Sequence, residues 1–306
     1  MSIVLGPNQY GKAENRVVRI TRDSARHEIT DLNVSTSLRG DFSDAHTTGD
    51  QSRVLPTDTQ KNTAFVYAKK HGVDSPEDYA LALAGRFLDV TPATGARIAV
   101  EQYAWDRIVV AGVGHDHAFV RRGGDTRTAV VTVEAGTGAL TSQGRRAHVI
   151  SGLQDLVMLK STGSQFTGFL HDDYTTLPEA TDRILATSLV ARWRHTGTDV
   201  DWNATFDSIR ATVLEVFATT YSHALQETLH AMGRAALERH PGVAEIRFSA
   251  PNRHHFPVDF SCFDGVENHG EVFIAADRPY GLIEACVMRD DVDEAPGAWL
   301  ATPGFC

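Results

Sequence analysis

Residues able to hold an anion, stack on a ring or move a proton gather in four short segments of this 306-residue chain. The first is Gln9-Tyr10-Gly11-Lys12, and the second is Leu55-Pro56-Thr57-Asp58-Thr59-Gln60-Lys61-Asn62-Thr63. The third begins Lys160-Ser161-Thr162-Gly163-Ser164-Gln165-Phe166 and runs on through Tyr174-Thr175-Thr176-Leu177 to Arg183. The fourth is Pro251-Asn252-Arg253-His254. Each sets polar, cationic and aromatic side chains at the ends of predicted elements, where sites are usually built. An aromatic ring offers a flat apolar platform, and arginine offers paired donors to a planar anion. A threonine hydroxyl is a useful base only if a neighbour such as lysine accepts its proton.

Taken singly, these residues have plainer readings. Phe166 reads as a core aromatic, Arg183 as half of a surface ion pair and Gln226 as a helix-cap residue. Lys12 reads as a solvated lysine, Thr57 as a turn residue before Asp58, and His254 as a solvent-facing histidine.

The elements that must position them come from composition and pattern. The length suits two units of about 150 residues each, with enough chain for a sizeable core. A formal charge of -10 argues against nucleic-acid and anionic-membrane partners, which a basic face would recruit. No apolar stretch approaches the roughly 18 residues of a membrane span, and no secretory leader precedes Lys12, so a cytoplasmic protein is expected. The final Gly-Phe-Cys does not resemble a peroxisomal signal. Cys262, Cys286 and Cys306 show no CxxC spacing and are expected to be reduced.

Residues 16–21 and 27–38 alternate like half-buried strands and could pair across Arg22 to Arg26. Ser75, Pro76 and Asp78 announce a helix start, followed by apolar Tyr79, Leu83 and Phe87. Strands are predicted at 97–105 and 125–136, and again at 148–161. Helical spacing links Trp202, Phe206, Ile209, Val213 and Val216, then Leu225, Leu229, Met232 and Ala236, with Pro241 and Gly242 as the stop. Strands return at 244–250, 270–276 and 281–289. Each half therefore reads as strands, helices, strands, an α+β arrangement that suggests internal duplication. Leu55-Pro56 precedes Lys61 by the offsets that separate Leu177-Pro178 from Arg183, a weak hint of the same repeat. The acidic stretch from Arg289 to Ala295 is expected to be disordered.

The four segments together, in order and spacing, resemble urate oxidase (uricase) of the bacterial type, a tunnelling-fold family, over all but about the last fifteen residues. The resemblance implies two tandem ββααββ-type halves, 1–140 and 141–306, the second ending in a short acidic tail. It implies an antiparallel sheet with helices on one face, a barrel closed by dimerisation, and a homotetramer with active sites at subunit interfaces. The implied activity is cofactor-free, metal-free oxidation of uric acid by O2 and water to 5-hydroxyisourate and hydrogen peroxide.

Roles follow by similarity. Phe166 stacks on the purine, Arg183 grips one edge bidentately and Gln226 hydrogen-bonds the opposite edge. The backbone N–H groups of Asp58 and Leu225 add contacts. Lys12, in its neutral form, activates Thr57, while His254 orients the lysine and helps shuttle protons. Asn252, with Thr57, holds oxygen and then water above the ring.

Other readings stand beside this one: another purine- or pterin-directed enzyme of the same fold, or a purine-binding protein without catalysis. Fourteen histidines invite a metal reading, yet His115-Asp116-His117 and His254-His255 match no known ligand spacing. Gly112 and Gly114 lack the third glycine and the strand-to-helix context of a dinucleotide loop.

Overall fold

The structure, a computed structural model, describes residues 2–134, 138–141, 144–276 and 278–299. The first half opens with β1 (Gln9–Thr21) and β2 (Glu28–Arg39), which pair antiparallel as the hairpin expected across Arg22 to Arg26. A short helix α1 (Ser43–Thr47) leads to α2 (Thr57–His71) and α3 (Pro76–Val90). Then come β3 (Gly95–Tyr103), a separate hairpin of β4 (Trp105–Val110) and β5 (Val113–Arg121), and β6 (Thr126–Glu134). The short β7 (Ala139–Leu140) pairs with the start of β8 (Arg146–Lys160).

The second half continues with β9 (Leu185–His195), α4 (Trp202–Thr219), α5 (Leu225–Arg239) and β10 (Val243–Pro251). A hairpin of β11 (His254–Pro257) and β12 (Phe273–Ala276) precedes the last strand, β13 (Leu282–Met288). With the hairpins set aside, each half reads ββααββ, and each carries its hairpin between its third and fourth strands.

The chain packs as two compact units. One holds the described residues of Met1–Gly152, Trp193–Thr205 and Asp290–Cys306; the other holds Leu153–Arg192 and Phe206–Arg289. In the first unit the strand order is β1-β2-β3-β6, followed by the beginning of β8. Leu32, Val34 and Leu38 of β2 are fully buried at the two-residue period of a strand with one face inward. Ser75 Oγ caps α3 by accepting from the Asp78 amide (3.0 Å), and Pro76 takes the first turn. Tyr79, Leu83 and Phe87 then face β3 and β6 in the same core. Burying a side chain such as Phe87 contributes about 1.5–3 kcal/mol. In the second unit β9, β10 and β13 follow the remainder of β8, and Leu229, Met232 and Ala236 of α5 are buried on the side that packs on β10 and β13.

Several elements escape the sequence pattern. Helix α2 was not expected, because its inward positions are Gln60, Ala64 and Ala68, too small and polar to register as an apolar stripe. Thr57 therefore begins a helix and is not a turn residue. The β4–β5 hairpin turns on Ala111 and Gly112, both with positive φ (51° and 81°), so that glycine serves a tight turn. Strand β9 is buried along most of both faces and lacks alternation, so a periodicity reading passes over it. The matched Leu-Pro offsets fall at non-equivalent places, one between β2 and α2 and the other between β8 and β9.

The stretch from Arg289 to Ala295 is ordered, contrary to expectation. Arg289 donates its backbone N–H to Ala244 O (3.0 Å) and Nε to Val243 O (2.9 Å), closing the end of the second unit. Arg194 Nη2 reaches Asp293 O (3.0 Å), and a 3-10 turn at Pro296–Trp299 buries Ala298 in the first. Cys262 and Cys286 are free thiols; Cys306 and the final Gly-Phe-Cys lie outside the described residues. Among the described residues no helix is long and apolar enough to cross a membrane.

Gly11 marks the tightest approach of β1 to β2, since a Cβ there would lie 1.7 Å from the Thr36 carbonyl oxygen. Gly11→Ala should part the two strands beside Lys12 and destabilise the protein by about 1–3 kcal/mol. Thermal melting checks this, and an unchanged midpoint would contradict it.

Candidate active site

In the first unit, Lys12 stands at an irregularity in β1. Lys12 pairs with Thr36 and Asn15 with Val34, so Ala13 and Glu14 together oppose Ser35, and Glu14 takes positive φ (54°). Such a bulge re-aims the side chains around it. Two hydroxyls of β2 serve the disturbed backbone: Lys12 N donates to Thr36 Oγ1 (3.2 Å) and Glu14 N to Ser35 Oγ (2.9 Å).

Thr57 and Asp58 open α2 directly after Pro56, which supplies no side-chain cap. The first N–H groups of a helix have no partner within it, so this end is left with donors for an external acceptor. The Asp58 carboxylate pairs with Lys61 and accepts from Asn62 Nδ2 (3.0 Å). Hydrogen bonding to Lys61 chiefly holds that carboxyl below its ordinary range, and the nearby Lys12 charge adds to the effect. Neither Lys12 Nζ nor the Thr57 hydroxyl hydrogen-bonds another described residue.

The second unit gathers the remaining residues. Phe166 is held by backbone bonds to and from Ala180 (2.8 and 3.0 Å). Its ring stacks on Phe169 (4.9 Å, 12°), which stacks on His171 (4.8 Å). Arg183, whose N–H bonds to Ser164 O (2.8 Å), carries its guanidinium 5.3 Å from the Phe166 ring centre. Burial lowers the Arg183 pKa, Nε has no partner, and no carboxylate among the described residues pairs with it. A surface ion pair is therefore not its role here.

Leu225 and Gln226 begin α5 after Ala224, which again provides no side-chain cap. The loop before them is stitched to the Phe166 segment: Gln165 N donates to Ser222 O (2.8 Å) and Ser222 N to Gly163 O (3.0 Å). Leu225 is buried, whereas the Gln226 amide is exposed and has no hydrogen-bond partner among the described residues. Asn252 bridges Thr187 of β9, and its N–H donates to Gly281 O (2.8 Å). Two residues on, His254 starts β11 with its ring against Phe256 (5.7 Å). Burial pushes the His254 pKa down, and the Arg183 and His255 charges push it further.

The expected residues thus form two groups. Lys12, Thr57 and Asp58 belong to one compact unit; Phe166, Arg183, Leu225, Gln226, Asn252 and His254 belong to the other. The sequence reading assigned nothing to Phe169, whose three-residue spacing from Phe166 was the available signal, nor to Thr36 and Gln60, whose burial no pattern announces. No group of three or more His, Cys, Asp or Glu among the described residues could hold a metal ion.

A uricase family model matches residues 8–132 and 149–284. The chain is 48% identical over 305 residues to a uricase of Arthrobacter globiformis, covering 99% of this chain and 96% of the relative. It is 36% identical over 286 residues to a uricase of Dictyostelium discoideum, covering 92% and 96%. The crystal structure of uricase from Arthrobacter globiformis superposes with a TM-score of 0.90, covering 96% of this chain and 98% of that one.

Because His254 is partly buried and near the Arg183 charge, it should titrate below the ordinary histidine range in an NMR titration. Arg183→Gln should raise the His254 midpoint, and a midpoint that does not move would remove the electrostatic link between the two.

Proposed function

The chain belongs to the uricase family and is a urate oxidase, and from that premise we propose how its residues divide the work. The substrates are urate and O2, with water, and the products are 5-hydroxyisourate and hydrogen peroxide. The tandem halves are 1–140 and 141–306, and the two groups of site residues meet at subunit interfaces of a homotetramer.

The observation that carries the binding half of this reading is Arg183, a half-buried cation beside an aromatic ring with no carboxylate among the described residues to pair with. A charge in that position favours an anion from outside, and its planar fork suits a planar one. Urate lies on Phe166, with Arg183 along one edge and the exposed Gln226 amide along the other. The uncapped ends of α2 and α5 add the Asp58 and Leu225 amides, each supported by its helix dipole.

Chemistry starts with a proton. Neutral Lys12 accepts the Thr57 proton as Thr57 takes one from urate, leaving the electron-rich dianion. His254, held neutral by burial and by the Arg183 charge, can accept a hydrogen bond from the lysine and pass the proton on. Triplet oxygen cannot add directly to a closed-shell anion, so the dianion first gives it one electron. The two radicals then combine into a hydroperoxide on the purine. Asn252 and Thr57 hold oxygen over the ring. Loss of hydrogen peroxide and addition of water complete the reaction, with urate supplying both electrons.

Loss of urate absorbance in air-saturated buffer with excess chelator, read alongside oxygen uptake and peroxide release, tests this directly. Equimolar changes are expected; no turnover, or turnover only after metal is restored, would defeat the cofactor-free reading. Lys12→Met and Thr57→Ala should each lower kcat by about 10²-fold or more with little change in urate affinity. Arg183→Gln should instead weaken urate binding by about tenfold or more, visible by calorimetry.

A further inference from the structure

We propose that Thr36 and Gln60 are positioning residues that set where Lys12 stands with respect to Thr57. The assignment rests on the proton relay described above. Lys12 lies on β1 and Thr57 opens α2, and a directed chain of hydrogen bonds joins the two places. Lys12 N–H donates to Thr36 Oγ1 (3.2 Å), the Thr36 hydroxyl donates to Gln60 Oε1 (2.7 Å), and Gln60 Nε2 donates to Leu55 O (3.4 Å).

The direction is forced. Leu55 O can only accept, so Gln60 presents Nε2 to it, and the Thr36 hydroxyl, which accepts from the Lys12 amide, gives its one proton to Gln60 Oε1 at 2.7 Å in preference to Lys12 O at 3.5 Å. Gln60 must then turn its carbonyl toward Thr36 and its amino group toward Leu55. Its backbone N–H also bonds to Pro56 O (3.1 Å), so this one residue holds both carbonyls that precede Thr57. The Leu55 N–H in turn donates to Tyr10 Oη (2.9 Å), two residues before Lys12. The entry to α2 is tied to β1 on either side of Gly11.

Three further facts separate this chain from ordinary core packing. Gln60 is 0% exposed and Thr36 only 7%, and a buried amide is tolerated only when its polar atoms are bonded. The other inward positions of α2 are alanines, so the core does not demand a polar residue there. The β1 bulge also begins at Lys12, so the Thr36 hydroxyl serves an amide at the edge of the irregular stretch.

The test measures kcat, KM for urate, the pH profile of kcat and the melting temperature of the whole enzyme for Thr36→Val, Thr36→Ser, Gln60→Leu and Lys12→Met. Displacing a lysine from its threonine should cost about tenfold or more in kcat for Thr36→Val and Gln60→Leu. KM should move by less than about twofold, because Phe166, Arg183 and Gln226 lie in the other unit and only the Asp58 amide contact borders the change. Thr36→Ser restores the hydroxyl and should restore kcat. A Thr36→Val enzyme with unchanged kcat and pH profile, or a loss that Thr36→Ser does not repair, overturns the proposal. Lys12→Met turning over normally would bring down the relay itself, whereas slow Lys12→Met beside normal Thr36→Val would bring down only the positioning.

Discussion

A guanidinium drawn halfway out of water, with no carboxylate among the described residues to meet it, is the constraint around which the second unit is arranged. Arg183 lies near Phe166, its Nε is unpaired, and burial works against its charge. Such an arrangement costs free energy in the empty protein, and an anion offsets it. The same cation discourages protonation of His254, so the pocket keeps a neutral imidazole where a second positive charge would be least favourable. In the proposed mechanism, binding and proton handling therefore draw on one electrostatic source.

The helix ends extend that logic. Helix α3, which builds the core, is capped by Ser75 in the ordinary way, while α2 and α5, which carry Thr57, Asp58, Leu225 and Gln226, begin after Pro56 and Ala224 without side-chain caps. A missing cap costs about 1 kcal/mol. In the function proposed above those first-turn amides meet the anion, so stability is given up locally for binding.

Much of the scaffold was legible where the local signal was strong. Ser75-Pro76 with Asp78 marked the start of α3 to the residue, and the alternation of Leu32, Val34 and Leu38 marked β2. Helix α2 was not legible, because Gln60, Ala64 and Ala68 present no apolar stripe, and β9 was lost because burial on both sides erases alternation. The candidate site followed a similar rule. Most of its residues stand in four motifs, with Leu225 and Gln226 added through the family resemblance, yet nothing local says that Arg183 would lack a counter-ion among the described residues or that a bulge would sit beside Lys12. Those facts depend on strands and loops distant in sequence meeting one another, as do the roles of Thr36 and Gln60.

The bulge between Lys12 and Asn15 changes how the chain counts. Successive residues of a strand face opposite sides, and the extra residue here resets that alternation within β1. The facing of Lys12 is thus keyed to its pairing with Thr36. Lengthening the segment before Gln9 leaves that phase intact, and losing one residue at Ala13 or Glu14 would leave a single residue opposite Ser35, so that Lys12 and Asn15 keep their partners in a regular ladder. What such a loss removes is the irregularity itself, the positive φ of Glu14 and the bend with which the strand leaves Lys12, so a tract of two residues with unremarkable side chains sets the aim of its neighbour by length rather than by chemistry.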